Sequence, residues 1–152
     1  MTRGRIGWSA GVAAMALLFA VSCGRGGDPA RETLDRVARG ANARDAGAVA
    51  AELAADYRDE SGNGRSEIER TLRGYFAAYE IVQVRLSDVV IERAEGAARA
   101  RFRADLSAQP RQGSGIAGLL PSSASYRFDV RLVPEGSKWK IAWASWQPAG
   151  GN

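Results

Sequence analysis

The segment Asp56-Tyr57-Arg58-Asp59-Glu60 sets three carboxylates beside a phenol and a guanidinium. Read as extended chain, alternation places Tyr57 and Asp59 on one side and Asp56, Arg58 and Glu60 on the other. An inward Asp59 beside Tyr57 would have its pKa raised by burial toward the range of a general base, which makes these two residues the candidates for proton-transfer catalysis. The competing reading is a solvated turn, whose acids cap the following helix or pair with Arg58 and Arg65. The 152 residues include no histidine. That excludes Ser-His-Asp and Cys-His nucleophiles and histidine-ligated zinc. No metal and no cofactor is expected, and any catalysis would rest on carboxylates and tyrosines alone.

The other reactive group is a thiol. Cys23 is the single cysteine, so no disulfide can form within the chain. It follows two early arginines, Arg3 and Arg5, an apolar run over 6–21, and the small residues Ala20, Val21 and Ser22. A basic n-region, an apolar h-region and small residues before a cysteine are the pattern of a lipoprotein export signal. Ala20 stands where leucine is usual, with Leu18 displaced upstream. A transmembrane helix needs about 20 apolar residues, and this run is shorter and interrupted by glycines. Cleavage by the ordinary signal peptidase would instead leave a soluble domain with a free thiol; acylation gives the lone cysteine a role. The expected product is a bacterial cell-envelope protein, lipid-anchored and facing the periplasm. Gly24 after the cysteine, rather than aspartate, favours the outer membrane over the inner.

The expected organisation is a signal peptide over 1–22, a lipidated cysteine and tether over 23–29, one domain over 30–148 and a tail over 149–152. Loss of Arg3 and Arg5 leaves 19 basic and 17 acidic residues, a net charge of +2. The basic residues are mixed with carboxylates and accompany no nucleic-acid-binding motif, so no nucleic-acid partner is expected. About 130 residues remain, enough for a single core.

Asp28 and Pro29 read as the N-cap and first position of a helix with Leu34, Val37 and Ala41 on one face, ending at Gly40 and Asn42. Asp45 caps a second, alanine-rich helix, expected to continue through Val49 and Leu53 and stop before Tyr57. Ser66 and Glu69 suggest a capping box for a third, with Ile68, Leu72, Tyr75, Phe76 and Tyr79 at helical spacing. After Glu80 the period becomes two. Strands are expected over 81–92, around Phe102, around Phe128, and over 138–146, with a Gly/Ser/Pro loop over 107–122 made apolar by Ile116, Leu119 and Leu120.

Three helices followed by a mainly antiparallel meander form an α+β layout, with the helices packed on the concave face of a curved sheet. Asp45-Ala46-Gly47, the 56–60 segment, the helix over 65–79 and Lys138-Trp139-Lys140-Ile141 together resemble the nuclear transport factor 2-like superfamily, the cone-shaped α+β barrel shared with polyketide-cyclase-like and ketosteroid-isomerase-like proteins. The resemblance covers the whole mature domain. It implies a pocket at the open end of the cone, for which Tyr57, Tyr75, Tyr79, Phe102, Tyr126, Phe128, Trp139 and Trp143 are the candidate lining; the alternative is that these aromatics simply fill the core. The catalytic aspartate of the enzymatic relatives has no matching position, and their histidine-dependent chemistry has no histidine here.

On the opposite face, Arg99, Arg101, Arg103, Arg127, Arg131 and Lys140 are expected to project together, relieved by Asp105 and Asp129. Cross-strand ion pairing in solvent accounts for such a face. Contact with anionic lipid, an acidic partner or, as the superfamily implies, a second copy are the functional alternatives. The expected function is a lipoprotein whose domain binds a small molecule or an envelope protein without catalysis. The alternative is an isomerase, dehydratase or hydrolase using Asp59 with the pocket tyrosines.

Overall fold

The structure, a computed structural model, describes residues 27–113 and 122–150. Cys23 with the export signal, the apolar residues Ile116, Leu119 and Leu120, and the last two residues lie outside the described residues.

Helix α1 (Pro29–Asn42) starts where Asp28 accepts from the amides of Ala30, at 2.9 Å, and Arg31. Proline at the first position loses no hydrogen bond there, because that amide has no intrahelical partner. Helix α2 (Ala46–Ala50) is capped by Asp45, which accepts from Ala48 N at 2.9 Å. It is shorter than its alanine content suggests: the chain leaves the helix after Ala50 and becomes strand β1 (Leu53–Asp59). Ala54 and Ala55 are good helix formers, but pairing with the last strand outweighs that weak preference.

Helix α3 (Arg65–Ala78) begins at Gly64 rather than at Ser66. Glu67, not Glu69, reaches back to the N-cap, accepting from Gly64 N at 3.0 Å. A Cβ on residue 64 would lie 2.7 Å from the Arg58 guanidinium and 2.9 Å from Glu67 Oε2, so a larger residue here would displace the ends of these two flexible side chains.

Strands β2 (Tyr79–Ala94), β3 (Ala97–Pro110), β4 (Ser123–Glu135) and β5 (Lys138–Pro148) form the expected meander. The sheet order is β1-β5-β4-β3-β2, antiparallel throughout except for the parallel β1–β5 pair. This is an α+β fold with a curved mixed sheet and helices on one face. Of the register shifts in the sheet, two insert a single residue within its long strands: one between Ser87 and Val90, where Asp88 has φ 52°, and one in β5 opposite Arg131 and Leu132. Each extra residue reverses which parity faces the helices. Leu86 packs on the core before the β2 bulge, and Val89 and Ile91 do so after it.

The core lies between α1 and the sheet, around Leu34, Leu53, Tyr57, Val130, Leu132 and Ile141. A second cluster joins α2 and α3 to the start of β2 through Ala46, Phe76, Tyr79 and Val82. Arg36 on α1 sits 3.0 Å from Oε2 of the buried Glu52 carboxylate, and Lys140 sits 3.9 Å from the same oxygen. These contacts fix the helix layer to the junction where β1 joins the sheet.

Candidate functional site

The inner face of the sheet and all three helices enclose a cavity of about 300 Å³. Leu34, Val37, Ala38 and Ala41 of α1, Ile68, Thr71 and Leu72 of α3, and Phe102, Phe128 and Trp146 of the sheet form much of its wall. The Phe102 and Phe128 rings stack at 5.2 Å between centroids, and Phe128 meets Trp146 at 5.9 Å. Trp146 is 42% exposed while lining the cavity, so it stands where the space meets solvent. Among the described residues, the only side-chain oxygens in the wall are the hydroxyls of Tyr57 and Thr71; it holds no carboxylate, ammonium or guanidinium.

Three of the eight aromatics expected around a pocket, Tyr57, Phe102 and Phe128, line this cavity. The other five do not. Tyr75 lies against Tyr79 at 4.4 Å between ring centroids, and both belong to the second core cluster, with Tyr79 fully buried. Burial, then the neighbouring Tyr79 hydroxyl, push the Tyr75 phenol up to about 12, with Tyr126 adding to the effect. Tyr126 meets the edge of Phe128, at the end of the sheet. Trp139 packs on the main core with the Arg93 guanidinium 5.3 Å over its ring.

Trp143 is on the wrong face. It pairs across the sheet with Arg131 and Arg58, which are exposed on the outside, and cross-strand partners share a face. The β5 bulge is the physical reason: Ile141 faces inward, the extra residue reverses the parity, and Ala144 and Trp146 then face inward instead of Trp143. Trp146 was missed for the same reason. Nothing in local alternation marks a single inserted residue.

Tyr57 and Asp59 do share the inner side of β1, 2% and 4% exposed, while Asp56, Arg58 and Glu60 are exposed. Asp59, however, is outside the cavity wall. Its Oδ1 accepts from Ser61 N at 2.9 Å and Asn63 N at 2.8 Å, and its Oδ2 accepts from Asn63 Nδ2 at 2.9 Å. The carboxylate closes the turn between β1 and α3, a standard use of an aspartate that binds backbone amides a few residues on. Burial, with the Asp59 charge second, raises the Tyr57 pKa far above its ordinary value, which favours the neutral, hydrogen-bonding phenol over the phenolate. No group of histidine, cysteine, aspartate or glutamate able to hold a metal occurs among the described residues. None of the described helices is long and apolar enough to cross a membrane.

The outer face carries Arg99, Arg101, Arg103, Arg127 and Arg131 on β3 and β4, all exposed except the half-buried Arg103. Arg99 binds Asp129 through two nitrogens, Arg101 binds Glu92 at 2.6 Å, and Arg103 binds Asp105 at 2.8 Å. Asp105 also accepts from Ser125, and with Arg103 this hydroxyl holds the carboxyl below the usual range; Arg99 does the same for Asp129. Lys140 departs from the set. It is half-buried, bonded to Ala51 O and close to Glu52, so it braces the β1 junction instead of joining the outer arginines.

No family model and no curated protein matches the sequence. Solved structures do. A candidate scytalone dehydratase from Novosphingobium aromaticivorans aligns with a TM-score of 0.69 at 14% identity, over 80% of this chain and 83% of that one. A candidate dehydratase of the NTF2-like family from Streptomyces avermitilis aligns at 0.67 with 13% identity, over 81% and 96% of the two chains. A nuclear transport factor 2-like superfamily protein from Salmonella enterica aligns at 0.64 with 14% identity, over 79% and 88%. At such identities the likeness is one of architecture, and the chain has the cone-shaped α+β fold of the nuclear transport factor 2-like proteins.

Proposed function

We propose that the mature chain is a lipid-anchored protein of the bacterial cell envelope whose cone binds an uncharged, largely apolar small molecule without transforming it. The observation that carries the reading is the chemistry of the cavity wall: hydrocarbon and aromatic carbon with two hydroxyls, one indole N–H and no ionisable acid or base other than a phenol whose proton burial favours. Its 300 Å³ is about twice the ~150 Å³ that suffices for benzene in an apolar cavity, and falls at the small end of ligand sites. A charged or strongly polar ligand would lose its hydration there without replacement. One or two fused rings, or a short acyl chain with a single acceptor for Tyr57 or Thr71, fit these walls.

Neighbours named as dehydratases favour the alternative of chemistry in the same space. Elimination needs a group that takes a proton and one that gives it. The commitment of Asp59 to its turn leaves the tyrosine without such a partner, which supports binding over turnover.

The lipid anchor follows from Cys23 and the residues before it. A mass for the native N-terminus that matches triacylated Cys23 is the expected result; an unmodified thiol, or retention of residues 1–22, removes the anchor from the proposal. For the cavity, N-phenyl-1-naphthylamine serves as an uncharged apolar probe. One equivalent is expected to bind the mature chain with enhanced fluorescence, and Ala38→Phe, which fills the cavity from α1, is expected to abolish it. Undiminished binding to a folded Ala38→Phe chain would refute the site.

A further inference from the structure

Three aromatic rings stand in one cross-strand row on the inner face of the sheet. Phe102 on β3 is paired with Phe128 on β4, and Phe128 with Trp146 on β5. The two phenylalanine planes differ by 6°, and the indole is tilted by 30° from Phe128. Centroid separations of 5.2 and 5.9 Å are close to the spacing of neighbouring strands, so the rings stack along the row. Phe128, in the middle, has a ring on either side and turns its edge to the cavity.

The row ends at Trp146 because the sheet does. The last pair between β1 and β5 is Asp59 with Ala144, two residues before Trp146, so no strand carries the row past the indole. Among the described residues no further ring and no cation lies over Trp146. The largest aromatic side chain of the cavity wall therefore keeps one face without a ring partner, at the point where the wall meets solvent.

An apolar wall by itself accepts fused rings and an acyl chain alike. The unfinished row does not. Aromatic rings are negative over their faces and positive at their edges, and a ring partner in an offset or edge-on arrangement gains more than the area it buries. A saturated chain covering the same indole gains the area alone.

We infer that the ligand is a flat aromatic molecule and that Trp146 selects it, stacking the ligand's ring on the indole face that the sheet leaves open. This rests on the apolar cavity proposed above, and a matched pair of probes keeps the two readings apart. 2-Naphthol and decahydro-2-naphthol share one hydroxyl on the same fused skeleton and differ in aromaticity. In titration calorimetry with the mature chain, 2-naphthol is expected to bind about fivefold more tightly, the worth of one ring pair beyond its buried area. Trp146→Leu is expected to bring the two affinities within about twofold of each other, whereas Trp146→Phe, which keeps a ring, retains most of the preference. Ala38→Phe is expected to abolish binding of both. In the unaltered chain, the indole N–H resonance of Trp146, assigned by its loss in Trp146→Phe, is expected to shift with 2-naphthol through the ring current of the stacked ligand.

Equal affinities in the unaltered chain, a preference that survives Trp146→Leu, or an indole resonance that 2-naphthol leaves in place would overturn the role of Trp146, while binding that Ala38→Phe abolishes would keep the cavity. Tighter binding of the saturated compound would overturn it in favour of an acyl or alicyclic ligand. Binding of neither compound would overturn it together with the cavity reading on which it rests.

Discussion

Phe102 and Arg103 are neighbours in β3, and one lines a carbon-walled cavity while the other joins a half-buried polar network on the outer face with Asp105 and Ser125. The same strands make both surfaces. On the inner face, the residues around the cavity are held by packing against three helices, and where the core is closely packed, as at Leu132 and Val130, a change of one methylene is felt. On the outer face, the interactions are charge pairs in solvent, individually weak and even opposed in places. The inner side therefore carries the stability of the domain, whereas the outer side is free to be shaped for a partner at little structural cost.

The largest effect that would test this contrast is on the inner face. Leu132→Ala, at a fully buried position, is expected to lower stability by about 2–5 kcal/mol in urea unfolding. A loss as small as a surface substitution gives would deny that the core lies between sheet and α1.

Asp59→Ala removes the acceptor of three hydrogen bonds and is expected to cost about 1–3 kcal/mol, while apolar probe affinity stays within twofold. Loss of a turnover activity with stability unchanged would instead return Asp59 to catalysis.

Alkaline titration separates the faces by sign. Tyr57 and Tyr75 have folded pKa values above the ordinary value near 10 for tyrosine, so the folded chain keeps protons that the unfolded chain releases. Their stabilisation is complete below about pH 10 and declines as pH rises from there toward the folded values. Tyr57→Phe and Tyr75→Phe are expected to flatten that decline, measured as the change in urea midpoint between pH 9 and 11. The outer arginines should not alter it.

The smallest effect is expected from the outer face. Arg127→Ser and Arg131→Ser each remove one member of a like-charged pair and should shift stability by less than about 0.5 kcal/mol, toward greater stability at low salt. A large destabilisation would show that these side chains pack as well as repel.

Much of this architecture is legible in local chemistry. The Asp28-Pro29 start of α1 and the Asp45 cap follow from backbone amides that have no other acceptor. The even-numbered apolar residues of β3 and β4, from Ala98 to Leu106 and from Tyr126 to Leu132, mark the inner face because a strand alternates and only one side is covered. The placement of Tyr57 and Asp59 on one side was legible for the same reason, even though Asp59 turned out to organise a turn.

What local pattern could not supply are the events that depend on a distant strand. The 53–59 segment is as alanine-rich as a helix, and only the free edge of β5 makes it a parallel strand. One inserted residue in β5 sends Trp143 outward to the arginines and Trp146 inward to the cavity. The amino-acid sequence by itself determined the three helix starts or their neighbourhoods, the run of strands after Glu80, the cap at α1, and the absence of histidine chemistry, because those are set by residue type and near-neighbour sterics. The tertiary structure decided which tryptophan meets the cavity and that Asp59 is held by its turn, because register and packing are settled only when strands far apart in the chain are paired.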